Sequence, residues 1–95
     1  MIRWTKEAAD DFEAIRDYIE ADNPAAAIKQ SDLILDAIDQ LKGFPRSGRN
    51  TKSPRLRELV VPQTPYIIGY RLRPEAVIIA GIRHGARRIP RHLRR

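Results

Sequence analysis

The chain has 95 residues, of which 42% are hydrophobic and 32% charged, and it contains no cysteine; this is the composition of an ordinary soluble globular domain and excludes disulfides and thiolate zinc sites. No apolar run approaches the roughly 18 residues of a membrane span, and "MIRWTKEAADDF" has no signal-peptide h-region, so the expected location is the cytoplasm. The net charge of +6 is unevenly placed: residues 1–42 carry ten acids against five bases, whereas residues 43–95 carry thirteen bases against two acids. Such asymmetry points to a nucleic acid or an acidic protein as partner.

In chain order, "IRW" at residues 2–4 reads as a short strand, and Thr5 as the N-cap of a first helix. Ala8, Phe12, Ile15 and Ile19, with Tyr18 beside them, mark its apolar face, and Glu7, Asp10, Asp11, Glu13 and Asp17 fill the opposite side. Asn23 followed by Pro24 starts a second helix, whose buried stripe is predicted as Ala27, Ile28, Ser31, Ile34, Leu35, Ile38 and Leu41. Gly43 and Pro45 end it. A turn of two or three residues between the helices predicts an antiparallel hairpin.

"FPRSGRNTKSPR" has the Pro, Gly, Ser and Asn content of a loop. Beyond it the period changes to two. "RLRELVV" sets Leu56, Glu58 and Val60 against Arg57, Leu59 and Val61; "YIIGYRL" sets Tyr66, Ile68, Tyr70 and Leu72 against Ile67, Gly69, Arg71 and Arg73. "AVIIAGIRH" is apolar on both faces as far as Arg83 and reads as the most central strand. The fold class is α+β, with the helical hairpin packed on a C-terminal three-stranded antiparallel meander. Residues 1–95 form one domain in which 84–95 are a basic tail. From Arg83 onward there are six arginines, two histidines and no acid.

Strand, helix, helix, three strands, with "AADDFEAIRDYI", "NPAAA", "FPRSGR", "LRELVV", "PYIIGYRL" and "IIAGIRHGAR" in that order, resembles the RelE/ParE superfamily of type II toxin–antitoxin toxins over nearly the whole chain. The resemblance implies a growth-inhibiting protein silenced by a cognate antitoxin. It implies no cofactor, no metal and no membrane partner. Antitoxin C-termini in this family fold along the toxin, covering its groove and often its sheet edge. On that reading Arg46, Arg49, Lys52, Arg57, Arg71, Arg83, Arg87, Arg88 and Arg91 are the candidates for binding antitoxin or target. From the strand pattern, Arg57 and Arg71 either join a cationic sheet face or pair with Glu58 and Glu75.

The superfamily divides by mechanism. RelE-like members resemble one another as metal-free, ribosome-dependent ribonucleases, which need a base, an acid and cations around the reacting phosphate. ParE-like members share the fold, lack that set and poison DNA gyrase. Aligned with the YoeB-like branch, Ile67 stands where a catalytic arginine is wanted, and Gly85 and Ala86 where a His-Tyr pair is wanted. RelE itself uses a C-terminal tyrosine, and no tyrosine follows Tyr70. His84 is the one candidate base, reached if the alignment slips by a residue. The resemblance therefore favours the ParE-like branch, with gyrase as target; the alternatives are a ribonuclease acting on ribosome-bound mRNA and a non-toxic basic binding module.

Overall fold

A computed structural model describes residues 1–86 of the chain. The elements run β1 (Ile2–Trp4), α1 (Lys6–Asp22), α2 (Pro24–Gln40), β2 (Arg49–Asn50), β3 (Arg57–Val60), β4 (Tyr66–Arg73) and β5 (Ala76–His84). The strands form one sheet in the order β1-β5-β4-β3-β2. The predicted meander β3–β4–β5 is its antiparallel heart. Two strands extend it. β1 lies parallel to β5, with Ile2 opposite Val77 and Trp4 opposite Ile79, and β2 forms inside the predicted loop against Glu58 and Arg57. β4, rather than β5, is therefore the middle strand, although β5 is also flanked on both sides.

The helices start where their caps place them. The Thr5 hydroxyl accepts from the Ala8 N–H at 3.1 Å, and it lies 3.2 Å from the Ile79 carbonyl, so one side chain caps α1 and ties it to β5. Asn23 serves both helices: its N–H closes α1 on the Ile19 carbonyl, and its side chain caps α2 at the Ala26 N–H. The connection is thus a single residue, shorter than expected, because one extended residue satisfies both helix ends.

One face of the sheet packs on this hairpin. Ala8, Ile34, Ile38 and Leu41 meet Tyr66, Ile68, Tyr70, Val77, Ile79 and Ile82 in a continuous core, with Trp4 set edge-to-face on Phe12 at 5.7 Å. The buried stripe of α2 is narrower than predicted. Ile28 and Leu35 stay 67% and 42% exposed, because each lies about 100° round the helix from a neighbour, Ala27 or Ile34, that holds the core position. Tyr70 is fully buried and pins the α2–β2 loop: its hydroxyl accepts from the Gly48 N–H at 2.9 Å and donates to the Pro45 carbonyl at 2.8 Å. Gly48 is required there, since a Cβ would stand 2.5 Å from that hydroxyl.

Tyr70→Phe strands both backbone groups. The expected loss is about 1–3 kcal/mol, read as a lowered urea midpoint with unchanged slope.

Candidate functional site

One extra residue in β5 decides which side chains reach which face. Gly69 pairs with Gly81 but Tyr70 pairs with Ile79, so Ala80 is bulged out of the ladder. Val77 and Ile79 face the helices before the bulge, and Ile82 faces them after it. Arg83 is thereby turned to the opposite face, beside Ile67, while His84 is turned to the helix side, opposite Tyr66. Strict alternation from Val77 would have reversed these two residues.

On the face away from the helices, Glu58 is 5% exposed and both carboxylate oxygens are engaged. Arg83 donates through Nε and Nη2 to Oε2 at 3.2 and 3.0 Å, and Arg49 Nη2 donates to Oε1 at 3.2 Å. Glu58 is opposite Gly69, and Gly69 opposite Gly81, so no side chain stands between the carboxylate on β3 and the guanidinium on β5. The Arg83 side chain is only 9% exposed. Arg83, a candidate for binding antitoxin or target, is thus held largely buried beside Glu58. Arg57 does not pair with Glu58, which lies on the opposite face of β3. Its Nη1 donates to the Gly48 carbonyl at 2.7 Å and lies 3.4 Å from that of Arg46. Arg71 is half-buried on β4, whereas the Arg49 side chain is 65% exposed, and Arg46 and Lys52 are exposed. Arg87, Arg88 and Arg91 lie outside the described residues.

On the helix side, a groove of about 650 Å³ runs between α1 and the end of β5, lined by Asp11, Ile15, Tyr18, Gln30, Tyr66 and His84 among others. β1 pairs with β5 only as far as Ile79. Beyond it the Ile82 N–H is taken by the Asp11 carboxylate at 3.0 Å. Asp11, predicted as part of a solvated face, is thus a cap on the sheet edge. Tyr18 is 66% exposed at the groove, and the buried side-chain oxygen of Gln30 has no hydrogen-bond partner among the described residues. His84 Nδ1 accepts from the Ala86 N–H at 3.1 Å and its ring stands edge-on to Tyr66 at 5.8 Å. A base acting through Nδ1 would first have to give up that bond.

Ile67 is buried, and Gly85 donates its N–H to the Pro65 carbonyl at 2.7 Å. Among the described residues, neither position nor Ala86 brings a side chain able to move a proton. Sequence reasoning missed Glu58 as a buried anchor and Asp11 and Gln30 as groove residues. The Glu58 signal was present: it is a carboxylate in phase with Leu56 and Val60, and the next two strands in the chain carry glycine at 69 and 81.

The model of the family described as "ParE toxin of type II toxin-antitoxin system, parDE" matches residues 2–89. The chain is 43% identical over 84 residues to toxin RelE2 of Caulobacter vibrioides, covering 88% of this chain and 93% of that protein. It is 39% identical over 80 residues to toxin RelE3 of the same organism, covering 82% and 86% respectively. Among solved structures, it superposes with a TM-score of 0.79 and 26% identity on a chain of a chromosomal ParDE system from P. aeruginosa, covering 87% of this chain and 92% of that one.

Removing Glu58 takes away the carboxylate with which the largely buried Arg83 is paired. Glu58→Ala is expected to cost about 3–5 kcal/mol in chemical denaturation, and Arg49→Ala about 1 kcal/mol or less because that partner is largely exposed.

Proposed function

The chain belongs to the ParE toxin family of type II toxin–antitoxin systems, and from that membership we propose that it arrests growth by binding and poisoning DNA gyrase. One observation carries the choice of holding over cutting: the positions at which a ribonuclease of this fold needs proton carriers are occupied by buried Ile67, by Gly85 and by Ala86. His84, the remaining candidate, spends Nδ1 on a backbone N–H. The RelE names of the Caulobacter relatives favour a second reading, cleavage of ribosome-bound mRNA.

The antitoxin partner is proposed to occupy the groove between α1 and β5. Tyr18 offers apolar area there, and the Gln30 oxygen lacks, among the described residues, a donor that an incoming chain would supply. The exposed cation Lys52, together with the tail arginines Arg87, Arg88 and Arg91, provides attraction for an acidic segment. Action on gyrase places the protein in the cytoplasm.

Induced production of the chain alone is expected to arrest growth with DNA breaks and SOS induction, and production of the antitoxin encoded beside it to restore growth. Codon-specific cuts in ribosome-bound message, without DNA breaks, would establish the second reading.

His84→Ala is expected to leave arrest largely intact. A ribonuclease that lost its proton-transfer group would slow by about 10²–10⁴, so abolished arrest in a folded, antitoxin-binding variant would count against the binding mechanism.

A further inference from the structure

The loop between α2 and β2 is held by its backbone almost residue by residue. The Phe44 N–H closes on the Gln40 carbonyl at 3.0 Å, and its own carbonyl accepts from Ser47 at 3.1 Å. The Pro45 carbonyl and the Gly48 N–H are both taken by the Tyr70 hydroxyl, and the Gly48 carbonyl by Arg57. With the backbone so engaged, the side chains point outward. Phe44 is 71% exposed, Arg46 and Ser47 are exposed, and Arg49 follows in β2.

A loop already fixed by the core has little conformational entropy left to lose on association. Aromatic and arginine side chains on rigid supports are the residues that dominate protein interfaces. We propose that Phe44 and Arg46, with Arg49 at the rim, form the surface that engages the target of growth arrest, and that this target presents an acidic protein surface with an apolar pocket for the Phe44 ring. The inference rests on the reading that arrest comes from binding, and it assigns that binding to a surface other than the groove between α1 and β5.

The chemistry favours a protein over a nucleic acid. Platforms for single strands stack successive bases on aromatic rings along a cationic track. On this loop Phe44 alone displays a ring; exposed Tyr18 lies apart at the groove, Tyr70 is buried and Trp4 packs on Phe12. The Ser47 and Gly48 N–H groups are consumed internally and offer no backbone nest to a phosphate. Arg49 is partly neutralised by Glu58.

The test compares the full-length chain with Arg46→Glu and with Phe44→Ser combined with Arg46→Glu, after thermal unfolding has verified that both variants fold. The readouts are growth arrest on induction, inhibition of purified DNA gyrase holoenzyme in supercoiling, and affinity for the antitoxin. The double variant is expected to lose about tenfold or more in arrest and in gyrase inhibition while antitoxin affinity stays within about twofold. Arrest by the double variant at the wild-type dose would overturn the inference. So would a parallel loss of antitoxin affinity, which would place the loop in the antitoxin interface. A parallel loss of affinity for a single-stranded DNA oligonucleotide would overturn the protein partner. If the wild type arrests growth without inhibiting gyrase, the gyrase reading falls and the loop is judged by arrest alone; if the wild type does not arrest growth, both readings fall.

Discussion

The bulge at Ala80 is a small displacement with wide consequences. Side chains alternate along a strand, so one unpaired residue exchanges the two faces for everything that follows it. Before the bulge, Val77 and Ile79 supply the core under the helices; after it, Ile82 continues that core and Arg83 is delivered to the other side. The core, the buried ion pair and the groove all depend on this change of phase. His84 reaches the groove for the same reason, beside Tyr66 instead of beside Glu58.

The sheet face that turns away from the helices is organised by charge. Glu58 gathers Arg83 and Arg49 across a strip kept clear by Gly69 and Gly81. A buried ion pair contributes less to stability than its geometry suggests, since desolvation offsets most of the attraction. Its stronger effect is on register, because only one alignment of β3, β4 and β5 brings the carboxylate to the guanidinium. The chain's excess of positive charge is therefore not all available to a partner: Arg83 and Arg57 hold the fold, whereas Arg46, Arg49 and Lys52 are displayed.

The fold was legible in the sequence where a local signal and a long-range contact agreed. Thr5, Asn23 and Pro24 start the helices where the caps say, and the alternation of Tyr66, Ile68, Tyr70 and Leu72 identifies the core face of β4. Other features depended on distant partners that no local pattern reveals. β1 was recognised as a strand, but its place beside β5 is a contact between opposite ends of the chain. β2 has only two residues and exists because Glu58 and Arg57 pair with it. Ile28 and Leu35 fit the apolar period of α2, yet the helix turns them outward. At the candidate site, the cations could be counted from the sequence, but which were already spent could not, since that required the bulge and the reach of Glu58.

The parallel pairing of β1 with β5 also bears on how the protein comes into being. During synthesis β1, α1 and α2 emerge first, yet the strand that completes β1 is the last element of the described sheet. The early half has only a helical hairpin to form, and an isolated hairpin cannot bury the face that Ile34, Ile38 and Leu41 share with the sheet. Contacts spanning most of the chain form slowly, because loop closure must precede them. A ribosome interrupted before β5 therefore releases a chain without the groove, the buried ion pair or the final sheet, so the topology itself withholds these features until β5 has been made.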